Sequence, residues 1–375
     1  METILLNHFS ELEDPRCQHL VLHPARNIIY ITLTAVICGV RGWEEIEDFA
    51  NARREFFAGR LDLSNGIPSH DTINRFFQAI DRDSFARCFM KWTASIAEEV
   101  EHRTVCIDGK TIRRASRMSE NEAPIHVLSA WASENRMVLA QVCLDWQEDK
   151  DKQENEILVI PELIDMLDLK GDVVTIDAIG TQVKIVESIA KKEADYVLCV
   201  KANQPTLMED IARYFDSHPG LNSLVLNECD HGRIEQRSYS LSTDLSYLAD
   251  VDRWENLAAI VKVHSRSVNK KTGLESEENR YFITSLTDVD RAAEAIRKHW
   301  GVESMHWSLD VTFGEDGSAK RALNAAVNFD VVCKVAFNLL KNDGYQHRKK
   351  NMSIKRKMLQ AILDEEYLTY LLAKL

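Results

Sequence analysis

Apolar residues run almost unbroken from Ile28 to Val40, then recur at helical spacing through GWEEIEDFA. The run is about a dozen residues, short of the roughly 20 that a membrane span needs, so it reads as a buried helix. In IPSHDTINRFFQAI, Pro68 and Ser69 supply a turn and a cap, and Asp83 or Ser84 is placed to cap SFARCFMKWTASIAEEV. Residues 1–100 therefore read as a helical N-terminal domain. The pattern then changes. TVCID (104–108) is a short apolar strand ending in an acid, and IHVLSAWAS (125–133) and MVLAQVCLD (137–145) complete an antiparallel meander. Helical spacing at 155–169 and 181–193 alternates with the buried strands DVVTID (172–177) and DYVLCVK (195–201). Residues 205–280 look mostly β, RYFITSLT (280–287) is a further strand, one helix is predicted over about 290–310, and the last 50 residues are helical.

Strand–strand–strand–helix–strand–helix–strand is the order of a ribonuclease H-like core. Right-handed crossovers would place the last two of those strands parallel to the first and beside it. The expected architecture is α/β: this core over 101–340, with a mostly β insertion at about 205–280. A helical domain precedes it, and a basic, amphipathic helical tail (341–375) follows.

Composition narrows the function less than the pattern does. The 46 Lys and Arg against 59 Asp and Glu give a net charge of −13, which does not suit a dedicated nucleic-acid binder. DNA, however, senses charge within a Debye length of about 10 Å. Two basic stretches stand out: Lys110, Arg113, Arg114 and Arg117, and the seven Lys or Arg against one Asp in 341–357. The eight cysteines are scattered with no CxxC pair, which speaks against a zinc ribbon or disulfide framework and fits a reducing cytoplasm. The N-terminus is acidic and amphipathic, unlike a secretion signal.

In such a sheet Asp108 and Asp177 end neighbouring strands. Adjacent carboxylates repel unless a cation lies between them, and hard oxygen donors suit Mg²⁺ or Mn²⁺. Two such ions about 3.5–4 Å apart serve in-line phosphoryl displacement. A third acid is expected from the helix at 290–310, where His299, Glu303, His306 and Asp310 fall at i, i+4, i+7 and i+11 on one face. Trp300 and Trp307 lie on a neighbouring stripe suited to packing on the sheet. Glu303 is the choice, with Asp310, Glu315 and Asp316 as rivals. The spacing HxxxExxH also admits zinc, but no cysteine or fourth ligand lies nearby. His299 and His306 are expected to contact DNA or orient the glutamate.

The strings VCIDGKTIRRAS, NEILVIPELIDMLDLKG, DVVTIDAIGTQ, DYVLCVKANQPTL, HGRIE, RYFITSL, HWGVESMHWSLDVTFGED and NFDVVCKVAFNLLK occur in that order. With EDPRCQHLVLHPARNII, GWEEIEDF and GIPSHDTINRFF upstream, the chain resembles the H-repeat-associated transposases, a group of DDE insertion-sequence enzymes, over about residues 8–345. The resemblance implies a ribonuclease H-like core with its insertion between the second and third acids, and Asp108, Asp177 and Glu303 as the acidic triad. It implies a bacterial mobile element whose terminal inverted repeats are the substrate. The wider group often carries a Tyr and an Arg before the glutamate and a Lys seven after it; here Asp310 occupies the last place, and His299 stands four before the glutamate. Ala202 and Ser304 stand where the family often has Gly and Asn.

On this reading two Mg²⁺ (or Mn²⁺) ions sit among the three acids. A metal-bound water cuts the element's end, and the freed 3′-hydroxyl attacks target DNA. No P-loop is present. Lys110, Arg113 and Arg114 are expected to steady phosphates, Lys201, Asn203 and Gln204 to sit at the rim, and His231, Arg233 and Arg237 to grip double-stranded DNA. Trp254 is either a base-stacking platform or core packing. A homodimer is expected, because two ends must be paired. The alternatives are a domesticated DNA-binding protein that has lost cleavage, and a stand-alone nuclease on the same fold.

Overall fold

The computed structural model describes residues 4–98, 100–112, 125–144, 152–221, 223–230, 233–317, 320, 322–347 and 351–374. The chain opens with six helices: α1 (Ile4–Phe9), α2 (Ala25–Ile37), α3 (Trp43–Ala52), α4 (Arg54–Ala58), α5 (His70–Ala79) and α6 (Arg82–Ile96). Ser69 caps α5 by accepting from the Thr72 N–H, as its position predicts. The cap of α6 is Asp81, which accepts from the Ser84 N–H, rather than Asp83 or Ser84. The long apolar run is α2, buried along most of its length.

Strands β1 (Thr104–Thr111), β2 (His126–Ala132) and β3 (Met137–Cys143) form the expected antiparallel meander. Helix α7 (Lys152–Met166) crosses to β4 (Val173–Ile176), and α8 (Val183–Lys191) crosses to β5 (Asp195–Val200). Both returning strands run parallel, β4 beside β1 and β5 beside β4. This is the ribonuclease H-like order predicted from the sequence.

The insertion opens with a helix, α9 (Pro205–Ser217), and continues as β6 (Ser223–Asp230), β7 (Arg233–Ser242), β8 (Ala259–Asn269) and β9 (Glu275–Thr284). Its last strand pairs antiparallel with β5, so one nine-stranded sheet runs β3-β2-β1-β4-β5-β9-β8-β7-β6. The insertion thus extends the core sheet. Trp254 is 5% exposed within the core beneath α7, α8 and α9, and the stacking alternative fails for it.

The single helix expected over 290–310 is divided. Helix α10 (Val289–His299) stops at Trp300, α11 (Gly301–Trp307) restarts after it, and Ser308–Thr312 widens into π-turns closed by Phe313 N–H donating to Ser308 O. Gly301, a poor helix former, sits at the division. Helices α12 (Leu323–Lys341), α13 (Ile354–Leu363) and α14 (Glu365–Ala373) close the chain.

Alternation along the strands gives the sheet two faces. Val105, Ile107, Val174, Ile176, Tyr196 and Leu198 point toward α7, α8 and α9. The opposite face is covered by α10, α11, α12 and the N-terminal helices. There, residues from Leu5 to Trp92 share one apolar core with α11, α12, α13 and α14. Helix α12 alone among the described helices has the length and apolarity of a membrane span, yet 89% of that window is buried in this core. Its polar residues explain why it belongs there. Asn328 donates to Phe77 O and Ile80 O, sealing the end of α5. Asn338 exchanges two 2.9 Å hydrogen bonds with the backbone of Val138 on the edge strand β3. Lys334 donates to Ser129 Oγ (3.0 Å), Gln141 Oε1 (2.8 Å) and Asp330 Oδ2 (2.8 Å).

Removing one partner of a buried ion pair strands the other without water, at a cost of about 3–5 kcal/mol. Lys334→Met should therefore lower the unfolding free energy by about that amount in a denaturant titration, and Lys334→Met combined with Asp330→Asn should recover part of it.

Candidate active site

The parallel register pairs Thr104 with Val173 and continues to Ile107 with Ile176. Asp108 and Asp177 follow at the same level, one residue beyond the last rung, on strands spaced about 4.8 Å apart. Asp108 is not the end of its strand, as the sequence suggested, because β1 continues to Thr111 paired only with β2. Asp177 does end β4, and its carboxylate caps the turn that follows by accepting from the Ile179 N–H at 3.2 Å.

Helix α10 docks its C-terminal end across the two strands. His299 Nδ1 lies 3.0 Å from Thr175 Oγ1, and Lys298 O accepts from Ser133 Oγ at 3.4 Å. This places Glu303, exposed on the first turn of α11, in the lining of the cleft that holds the two aspartates. Asp108, Thr175, Asp177, Lys201, Arg280, His299, Trp300 and Glu303 line one cleft of about 310 Å³.

Electrostatics separate the two aspartates. Burial pushes the Asp108 carboxyl up, but the His306 imidazole, with Nε2 3.2 Å from Oδ2, and His299 outweigh it and leave its pKa lowered. Asp177 keeps contact with solvent in the cleft. Desolvation by the surrounding protein, then repulsion from Asp108, raises its pKa. Burial lowers the pKa of His299 despite the attraction of Asp108, which favours a neutral ring.

Gly109 fits because His126 lies against it. A Cβ there would come 2.5 Å from His126 Nε2, and that ring is held by Thr111 Oγ1 at 2.9 Å and Glu156 at 2.7 Å.

The remaining candidates divide by their partners. Lys110 is taken up by Asp310 and Glu315, a buried carboxyl whose pKa is raised by burial and by Asp330. Lys110 is thus half-buried and paired rather than open to phosphate, and Asp310 and Glu315 are its partners rather than rivals of Glu303 in the cleft. Asn203, from an exposed position, donates to Ala178 O (2.6 Å) and Gln204 to Thr181 O (2.9 Å), so both brace the turn behind Asp177. Lys201 is exposed on the cleft wall and Arg233 is exposed on β7.

Arg237 is paired with Glu228 and Glu235 and lies 4.2 Å over the Trp300 ring, so its guanidinium is engaged inside the protein. Trp300 lines the cleft, while Trp307 is 61% exposed and does not pack on the sheet as expected. Arg113, Arg114, Arg117 and His231 lie outside the described residues. Sequence reasoning missed Arg280 and Thr175. Thr175 was discoverable as the residue two before Asp177, on the same face of its strand.

Among the described residues no three His, Cys, Asp or Glu side chains are gathered closely enough to cage an ion. Two adjacent carboxylates, one with its charge held on and one raised by the other's charge, are nevertheless the donor chemistry of a hard divalent cation. Asp177→Asn keeps the acceptor that caps Ile179 and removes the charge that Asp108 opposes. The raised pKa of Asp177 means the folded state binds its proton more tightly than the unfolded state does. Its penalty therefore grows as pH rises from the unfolded value through the raised one, and is fully present at neutral pH. Thermal melts at pH 7 should show Asp177→Asn more stable than the parent, with the difference shrinking on acidification.

Residues 99–339 match the transposase DDE domain, and residues 6–93 match the DDE_Tnp_1-associated domain. The chain is similar to YbfL of Escherichia coli K12, 36% identical over 98% of this chain and 97% of the relative. It has the same identity and coverage with YhhI of that strain, whose name places it among the H repeat-associated transposases. YncI of Escherichia coli O157:H7, also named as a transposase, is 35% identical over 96% of this chain and 94% of its own length. A piggyBac transposase solved in a synaptic complex with hairpin DNA superposes loosely, with a TM-score of 0.44 and 11% identity over 96% of this chain and 77% of that one. On the family matches and the full-length relatives, the chain belongs to the DDE transposases of the H-repeat-associated, insertion-sequence type.

Proposed function

We propose that Asp108, Asp177 and Glu303 are the acidic triad of this transposase and hold divalent cations, Mg²⁺ or Mn²⁺, against the scissile phosphate of a DNA end. The observation that carries this is the in-register placement of Asp108 and Asp177, with the repulsion it creates, beneath the helix that bears Glu303. Bound there, such ions would lower the pKa of water and neutralise charge on the phosphoryl oxygens.

The chain's own residues do the rest. His306 keeps Asp108 ionised. Asn203 and Gln204 fix the turn that aims Asp177. Lys201 and Arg280 bring positive charge to the cleft wall, where a phosphate backbone enters. Water adds to phosphorus and the bond to the 3′ oxygen breaks, leaving a 3′-hydroxyl. That hydroxyl then displaces a second 3′ oxygen in target DNA, joining the strands. The DNA is the element's double-stranded terminal inverted repeat and its target, the working form is a homodimer pairing two ends, and the setting is the bacterial cytoplasm.

The helical domain at 1–100 is proposed to recognise the repeat, with the core at 101–340 performing the chemistry. The intact acids speak against the domesticated reading, and the near-full-length transposase relatives speak against the stand-alone nuclease.

The test is a cleavage and strand-joining assay on oligonucleotides carrying the flanking inverted repeat. Wild type should act with Mg²⁺ and stop with EDTA. Asp108→Ala, Asp177→Ala and Glu303→Ala should each lose about a thousandfold or more, as removal of several kcal/mol of charge stabilisation implies. Equal rates in wild type and Asp177→Ala would sink the assignment.

A further inference from the structure

A second concavity lies along the helix that bears Glu303. It is a groove of about 1110 Å³ between α11 with its π-turns, the end of α12 and the start of α13. Trp307, four residues after Glu303, forms one wall. The two are neighbours on one helix face, about 6 Å apart along the axis. Val311 continues that stripe and is 57% exposed.

Four cations converge on the groove from separate parts of the chain: Arg41 ahead of α3, Arg136 in the β2–β3 turn, Lys341 at the end of α12 and Lys355 in α13. All four are exposed, and none forms an ion pair with a carboxylate among the described residues. Many cations elsewhere are paired, including Lys110, Arg103, Arg237 and Lys298. The one acid in the lining, Asp343, is buried and already held by His347, Lys357 and Tyr367.

The cations are also held in place. Arg136 O accepts from Asn342 Nδ2 at 3.2 Å, tying the turn to the end of α12, and Arg41 donates to Thr312 O. Partial burial, and then the neighbouring charges of Arg136 and Lys357, pull the Lys341 pKa down. In a chain of net charge −13, the groove carries a local excess of positive charge.

We infer that this groove binds an unpaired DNA strand running from the acidic site, with its phosphates on Arg41, Arg136, Lys341 and Lys355 and a base stacked on Trp307. The inference rests on the proposed function, because it takes the strand's origin to be the scissile phosphate at Glu303. A single strand fits better than a duplex: paired bases turn only their edges outward, whereas an exposed indole offers a face that any unstacked base can cover. An acidic peptide would use the cations but leave the ring unexplained.

The experiment measures binding of the full-length protein by fluorescence anisotropy, in EDTA so that no cutting occurs. Two labelled inverted-repeat oligonucleotides are compared, one blunt and one with a short single-stranded extension. The wild type should favour the extended form. Trp307→Ala should lose that preference by about tenfold while binding the blunt form as before, and Trp307→Phe should keep most of it. Lys341→Gln with Lys355→Gln should flatten the salt dependence for the extended form by about 0.7 in log–log slope per cation removed.

Circular dichroism melts would confirm that each variant is folded. Equal binding of blunt and extended DNA by wild type would overturn the inference. So would an undiminished preference in Trp307→Ala, or competition by polyglutamate as strong as that of the oligonucleotide. Asp177→Ala separates the two readings. If only the catalytic reading is wrong, wild type and Asp177→Ala both show the preference and join DNA at equal rates. If only the groove is wrong, joining depends on Asp177 while the preference is missing.

Discussion

Two carboxylates set one residue past the last rung of a parallel ladder cannot move apart without unzipping β1 from β4. Their repulsion is therefore built into the sheet, and much of the surrounding structure serves to hold it. His306 and His299 stabilise the charge on Asp108. The His126–Glu156 pair presses against Gly109 from the opposite face, leaving no room for a side chain beside Asp108. Asn203 and Gln204 reach across from the end of β5 to fix the turn after Asp177. Thr175 and Ser133 pin the end of α10, and with it the start of the helix bearing Glu303.

The supporting charges form a second layer. Lys110 leaves the same strand as Asp108, on the same face, and is absorbed by Asp310 and Glu315. Glu315 in turn meets Asp330, and Asp330 meets Lys334 on α12. Burial and the neighbouring Asp330 carboxylate favour a proton on Glu315, while Lys334 helps keep Asp330 charged. A chain of ionisable groups, two lysines with two acids between them, thus joins the strand beneath the cleft to the central helix of the other core. A buried network of this kind contributes little net stability, but each member fixes the position of the next.

Much of this was legible in the sequence where local physics decides it. Strands β4 and β5 announce themselves as short apolar runs, the crossover rule orders them, and Asp108 and Asp177 follow from that order. Ser69 is readable as a cap because its hydroxyl competes only with its own backbone. Residue type alone cannot say whether a cation is free or paired. Lys110 and Arg237 looked like phosphate contacts, yet the acids that neutralise Lys110 lie some 200 residues further along the chain. The division of the helix at Trp300 and the π-turns after Trp307 likewise depend on what lies beneath them, and their side-chain pattern reads as one continuous helix. The same limit placed Trp307 against the sheet, when packing leaves it in solvent.

The shared core of the N-terminal helices and α12 has a consequence for the timing of folding. The apolar faces of α2, α5 and α6 are completed by residues 325–340, and then by α13 and α14. Contacts spanning some 250–300 residues cannot form while the chain is still being synthesised. An emerging N-terminal segment therefore waits with its greasy side uncovered until α12 clears the ribosome. Because α12 also braces β2 and β3 through Lys334 and Asn338, the sheet beneath the acidic cleft matures in the same late event. Synthesis of nearly the whole chain thus comes before a finished acidic cleft.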